Sequence, residues 1–265
     1  MRLVAATPFA SYERPYIERW AEAYAFMAQS TKGLTSLWLD TSGDQDFLGE
    51  LRRVAKAMPI RVKVVSRPLH LLDRNSGLGK NIRVCAAWQN IVYEVRDPNT
   101  WLLCVESDVI VPAAGPEQLL DGMLSHPALG ALSGAIPERR QELVNGTMAW
   151  RLRQQKQGLY GPPTQHATVS WYDPEGRDGI ELCDAVPFGC LMVQVQTLCD
   201  VPLRASRYPE LGWDQEFSVD AWAAGMPVGV DWGVTCGHFR RDYDPDYEDL
   251  RLRMTTGVSC EVGIS

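Results

Sequence analysis

The chain has 265 residues, 45% hydrophobic and 22% charged, with a formal charge of −7. That balance supplies a packed core without disulfide or metal staples and excludes a disordered chain, and acids spread along the sequence argue against a general polyanion-binding surface. The opening run Leu3-Val4-Ala5-Ala6 stops at Thr7-Pro8, too soon for a signal segment, and no later window reaches membrane-spanning length.

Seven cysteines, Cys85, Cys104, Cys183, Cys190, Cys199, Cys236 and Cys260, form no C-x-x-C pair and lie mostly in apolar runs. They read as free thiols of a reducing, cytoplasmic setting. One domain is expected, with a nucleotide-binding half over 1–110 and an acceptor and metal half over 111–240. The second half carries an insertion at about 137–180 and is followed by a tail over 241–265.

In chain order, Leu3 to Ala6 reads as a buried strand closed by Thr7-Pro8, and Arg14 to Gln29 as an amphipathic helix through Tyr16, Trp20, Tyr24 and Met27. Thr35 to Leu39 is a second strand, ending in the turn cluster Asp40-Thr41-Ser42-Gly43-Asp44. A helix over Phe47 to Met58 and a strand over Arg61 to Val65 follow. The polar loop Arg74-Asn75-Ser76-Gly77-Leu78-Gly79-Lys80-Asn81 leads into a helix over Ile82 to Val95, and Thr100 to Val105 is an apolar strand ending in Glu106-Ser107-Asp108. Alternating strands and helices imply an α/β fold with a mainly parallel sheet, whose ligands collect beyond the carboxyl ends of the strands.

Beyond it come a helix from about Pro116 to Leu124, a short strand over Gly130 to Leu132 and an irregular polar stretch from Pro137 to Asp178. Cys183 to Val195 reads as a strand, Glu210 to Ala224 as a loop entering a helix, and Val228 to Val234 as a last strand that delivers Cys236-Gly237-His238.

Glu106 and Asp108 stand two apart at a strand end, so an extended backbone projects both carboxylates to one side, a donor set suited to Mg²⁺ or Mn²⁺ on a diphosphate; equally, such acids cap the next segment. His238, just after a strand, can complete that coordination or serve as a hydrogen-bonding residue. Asp214 and Glu216 precede a helix and suit an N-cap and a first-turn acid, or a base facing an acceptor hydroxyl. Lys80 and Arg83 sit near a helix start where anions bind, with Arg240 and Arg241 as rivals. The G-x-G around Gly77 and Gly79 fails as a Walker loop, and no zinc-hydrolase or serine-hydrolase motif is present.

Together these pieces resemble the GT-A superfamily of nucleotide-sugar glycosyltransferases, particularly its family-2-like branch. The strand with Thr7-Pro8 resembles the family's nucleotide-binding start, Asp40 stands where members place an acid on the base, and Glu106-Ser107-Asp108 resembles the D-x-D motif. Val186-Pro187-Phe188-Gly189-Cys190 resembles the strand flooring the donor and acceptor site, Gly212-Trp213-Asp214-Gln215-Glu216-Phe217 the G-E-D-x-D-F helix, and Gly237-His238 the closing histidine. Glu106 replaces the usual first Asp and Trp213 the acid before Asp214.

The resemblance implies a GT-A nucleotide-diphospho-sugar transferase fold, a Rossmann-like mixed sheet flanked by helices. It also implies a hexosyl-transferring enzyme using a UDP- or GDP-sugar and Mn²⁺ or Mg²⁺. Thr7, Pro8, Asp40, Lys80, Arg83, Glu106, Ser107 and Arg240 would meet the donor; Glu106, Asp108 and His238 the ion; Asp214 or Glu216 the acceptor. That acceptor is a glycan, a lipid-linked sugar, a protein or a modified base in DNA. The rival readings are a sugar-1-phosphate nucleotidyltransferase, which should carry a Gly-rich basic loop where Thr7-Pro8-Phe9-Ala10-Ser11 stands, and a catalytically silent glycan- or nucleotide-binding protein.

Overall fold

The hydrophobic periods of the first half become a β/α succession with parallel strands. The computed structural model describes residues 1–69, 77–137, 147–154, 167–172, 176–206 and 212–238. Strand β1 (Arg2–Phe9) leads through a short 3₁₀ segment, Ser11–Tyr16, into helix α1 (Ile17–Ser30). The regular helix begins later than the period suggests because Pro15, lacking an N–H, sits in the 3₁₀ turn. β2 (Leu34–Asp40) is followed by α2 (Gln45–Lys56), whose N-cap Asp44 accepts the N–H groups of Asp46 and Phe47, each at 3.0 Å. Then come β3 (Val62–Ser66), α3 (Gly77–Val95), β4 (Thr100–Val105), the two-residue β5 (Val109–Ile110), α4 (Gly115–Ser125) and β6 (Ala131–Ala135).

The chain continues through β7 (Thr147–Gln154), β8 (Ala167–Tyr172), β9 (Ile180–Cys183), β10 (Cys190–Gln194), α5 (Val195–Asp200), α6 (Trp213–Ala223), β11 (Val228–Thr235) and β12 (Gly237–His238). Eight strands make the main sheet in the order β3-β2-β1-β4-β10-β6-β11-β9. β10 runs antiparallel to both β4 and β6, and β9 antiparallel to β11, while the other pairs are parallel. One apolar cluster joins α1, α2 and α4 to one face; a second joins α3, α5 and α6 to the other.

Several boundaries differ from the sequence reading for physical reasons. β1 runs through Pro8 to Phe9, because its pairing with β4 ends at Ala6↔Cys104 and the missing N–H breaks no ladder there, while pairing with β2 continues to Phe9↔Asp40. Gly77 to Asn81, expected as loop, forms the first turns of α3. The strand expected over Cys183 to Val195 is two strands, β9 and β10, divided around Pro187-Phe188-Gly189, with Val195 already in α5. Within the stretch expected to be irregular, β7 and β8 pair antiparallel, with Arg151↔Ser170 and Arg153↔Thr168 in register.

The aromatic knot beneath α1 anchors the first half. Trp20 is 1% exposed, and its ring lies 5.0 Å from Phe9, 4.6 Å from Tyr24 and 5.4 Å from Trp38. Tyr24 and Ser36 share a buried 2.6 Å hydrogen bond, and burial pushes the Tyr24 phenol upward from its ordinary pKa. We expect Trp20→Ala to destabilise the fold by about 3–5 kcal/mol in urea denaturation; a loss below about 1 kcal/mol would show that the surrounding rings close the gap.

Candidate active site

Strand order reverses between β1 and β4: β1 leads outward to β2 and β3, then the chain crosses back to β4 on the other side of β1. The carboxyl ends of the two strands therefore flank a crevice, the usual ligand position in an open α/β sheet. On one wall stand Thr7, Pro8 and the 3₁₀ segment; on the other stands Glu106-Ser107-Asp108.

The acidic triplet is a turn, with the Val109 N–H donated to the Glu106 carbonyl at 3.1 Å. Consequently the expectation that an extended backbone sends both carboxylates to one side does not hold. Among the described residues, no three His, Cys, Asp or Glu side chains group closely enough to hold one ion. Glu106 is seated against β10 instead, its N–H donated to the Gly189 carbonyl at 3.1 Å. A Cβ at Gly189 would lie 2.8 Å from Ile136 Cδ1 and 3.0 Å from Val109 Cγ2, so glycine lets this backbone pack against those two side chains.

Asp108 and His238 do meet. Their side chains are 10% and 5% exposed, and His238 Nε2 lies 4.0 Å from Asp108 Oδ1. The histidine arrives because β12 pairs antiparallel with β5, setting His238 opposite Val109. Getting there requires an irregularity in β11, whose register with β6 jumps from Asp231↔Gly134 to Thr235↔Ala135. Asp231 holds that jump: its Oδ1 accepts the Gly233 N–H at 2.9 Å and Gln118 Nε2 at 3.4 Å, and burial raises its pKa.

His238 Nδ1 lies 2.9 Å from the Pro137 carbonyl, which can only accept, so Nδ1 carries a proton and Nε2 is the nitrogen turned toward Asp108. An imidazole nitrogen beside a carboxylate oxygen is a donor pair of the kind divalent ions take.

Helix α6 is tied to this edge through Phe188. Phe188 packs on Trp213 at 4.5 Å between ring centroids, linking Gly189 to the start of this helix. Gly212, and not Asp214, is the N-cap; Gln215 Oε1 accepts its N–H at 2.8 Å. A Cβ on Gly212 would stand 2.4 Å from Asp214 Oδ1, so glycine permits the carboxylate to curl over the helix end. Burial pushes the Asp214 carboxyl up to about 6, although the Gln215 N–H, at 2.9 Å, draws it down. Glu216 is fully buried, accepts from Ser206 Oγ at 3.3 Å and faces Arg204 at 3.4 Å; Arg204 also reaches Asp220 at 2.5 Å.

The remaining sequence candidates divide. Thr7 Oγ1 is buried with no hydrogen-bond partner, and Pro8 is half-buried beside it on β1. Asp40 ends β2 as expected, but its carboxylate is 0% exposed and turned inward, accepting Ser42 N–H at 2.9 Å, Ser42 Oγ at 2.6 Å and Ser66 Oγ at 2.7 Å. Lys80 lies in the first turns of α3, followed by Arg83, whose Nε is shut off from solvent with no acceptor. Arg240 and Arg241 lie outside the described residues. The sequence reading gave no role to Glu13, Asp231 or the Pro137 carbonyl. An Asp two residues before a Gly is an Asx-turn spacing that marks Asp231, and a Glu at the third position after the cap residue Ala10 marks Glu13; nothing local marks a carbonyl.

Comparison with solved structures decides the architecture. The chain is similar to GalNAc-T7 crystallised with UDP, GalNAc and Mn²⁺, at TM-score 0.62 and 12% identity, covering 91% of this chain and 44% of that one. It is similar to mannosyltransferase PcManGT from Pyrobaculum calidifontis in complex with GDP-Man and Mn²⁺, at TM-score 0.55 and 14% identity over 97% of this chain and 63% of that one. Residues 1–349 of S. aureus TarS with UDP-GlcNAc give TM-score 0.51 and 12% identity over 98% and 62%. The fold is GT-A. No family model and no curated protein sequence matches the chain, so the GT-A likeness lies in the backbone, and this chain spans less than two thirds of those relatives' lengths.

Folding lifts the Asp214 pKa from 3.8 to about 6, so the native chain holds an extra proton between those values. Its contribution to stability is full below about pH 4, declines as pH rises through about 6, and is flat above. We expect Asp214→Asn to gain on the wild type in urea midpoint as pH is raised from about 4 to 7; parallel curves would show that this carboxyl titrates as it does unfolded.

Proposed function

We propose that this GT-A chain is a glycosyltransferase that takes a hexosyl group from a UDP- or GDP-sugar with the help of Mn²⁺ or Mg²⁺. The observation that carries the proposal is the meeting of Asp108 and His238, 4.0 Å apart at the switch-point crevice. Support comes from the similar structures, crystallised with UDP and Mn²⁺, UDP-GlcNAc, or GDP-Man and Mn²⁺.

Asp108 and His238 hold the ion, and Glu106 at the same edge assists through water or the donor ribose. When bound, the ion neutralises charge on the departing diphosphate. The chain's own groups do the rest. Thr7 and Pro8 line the nucleotide wall, and Asp40 stiffens the turn behind it. Lys80 and Arg83 lie in the first two turns of α3 and would supply cations to the phosphates, and Arg83 Nε has no protein acceptor to release. Arg240 is assigned to the same anion.

Asp214 is the base that takes the proton from the acceptor hydroxyl, since its pKa of about 6 leaves it ionised yet basic near neutrality. Glu216, buried and facing Arg204, holds the 204–206 segment against α6 and is the weaker candidate. The acceptor is a glycan, a lipid-linked sugar, a protein or a modified DNA base. Six described cysteines are free and no described helix is long and apolar enough to cross a membrane, which suits a cytoplasmic setting.

The test is release of UDP or GDP from a nucleotide-sugar panel, with and without Mn²⁺. Asp108→Ala and His238→Ala should lower release by about 100-fold or more, while Asp214→Asn should lower transfer by about 10²–10⁴-fold with donor binding retained. Transfer by the wild type should rise as pH climbs through about 6. Metal-independent turnover that survives Asp108→Ala would sink the proposal.

A further inference from the structure

One buried carboxylate bridges the two walls of the crevice, and the proposed chemistry leaves it unused. Glu13, in the 3₁₀ segment after β1, is 6% exposed. Its Oε2 accepts the Ala10 N–H at 2.6 Å and its Oε1 accepts the hydroxyl of Ser107, itself 8% exposed, in a short hydrogen bond. A buried carboxylate persists only where its oxygens are satisfied, and charge-assisted bonds of this kind are roughly twice as strong as neutral ones. Here one oxygen closes the turn that continues β1 and the other grips the middle residue of the acidic turn.

We propose that Glu13 is a positioning residue for the metal end of the donor site. By holding the Ser107 hydroxyl across the crevice, it fixes the turn that aims Asp108 at His238. The inference rests on the proposed role of Asp108 and His238 as metal ligands. Ser107 lies between Glu106 and Asp108, and the turn is closed on its far side by the Val109 N–H on the Glu106 carbonyl. With the Ser107 side chain tethered, the peptide groups on either side of it lose their freedom to rotate, and the Asp108 carboxylate keeps its direction. The same carboxylate fixes Ala10, so the nucleotide wall and the ion wall are set from one point.

The test is direct Mn²⁺ binding by electron paramagnetic resonance on the full chain, alone and with UDP or GDP. Wild type, Glu13→Gln, Ser107→Ala, Ser107→Thr and the Glu13→Gln/Ser107→Ala double variant are compared, with urea midpoints recorded alongside. Groups that orient a metal ligand are worth about 10–100-fold in affinity, and that loss is expected for Glu13→Gln and for Ser107→Ala. Ser107→Thr, which keeps the hydroxyl, should bind within about twofold of wild type, and the double variant should bind no more weakly than the worse single one.

Single variants that bind Mn²⁺ like wild type, or losses that multiply in the double variant, overturn the proposal and leave Glu13 a turn cap. If Glu13→Gln fails to fold, the Ser107 pair decides: loss in Ala with recovery in Thr supports the tether, and no loss refutes it. A wild-type chain that binds no Mn²⁺ with either nucleotide overturns the proposed function and this inference with it.

Discussion

Reversal of strand order between β1 and β4 brings together, at one edge of the sheet, chain ends that are about a hundred residues apart in sequence. A crevice made this way gathers carboxylates, and each must find a donor, a cation or a proton to stay buried. Asp40 solves the problem with two serines, Glu13 with a backbone N–H and Ser107, Asp231 with Gly233 and Gln118. Glu216 uses Arg204 and Ser206. Asp108 is set beside His238, whose Nε2 lies 4.0 Å from its Oδ1.

The antiparallel β10 has a matching role in the sheet. It separates β4 from β6 and β11, and the residue before it, Gly189, accepts the Glu106 N–H. Phe188 then passes the position on to Trp213 and the start of α6. Packing of Phe188 on Trp88 and Phe217 thus ties the Gly189 turn to α3 and α6.

Most of the sheet was legible from residue pattern, since runs such as Trp101 to Val105 and the helical spacing of Trp20, Tyr24 and Met27 have only one good solution. The α/β class and the edge at which the candidates gather followed from strand and helix alternation. What resisted was everything decided by tertiary contact. Local sequence cannot tell that Glu106-Ser107-Asp108 bends into a turn, that Asp40 faces inward, or that Gly77 to Asn81 winds into α3. The β7 and β8 pair was missed although its alternation was present, because turn residues and prolines around it suggested loop. Glu13 was hidden for another reason: its partner stands ninety-four positions away.

The surplus residues in β11 carry a consequence of parity. A strand shows alternate faces at successive positions, so the stretch from Asp231 to Thr235 fixes both how far His238 travels and which way its ring faces on arrival. Adding or removing one residue there would leave β6, β10 and their helices intact while turning the imidazole to the opposite side. A lineage with this architecture can therefore lose the Asp108–His238 pair through one insertion or deletion, without disturbing the sheet that makes it recognisable.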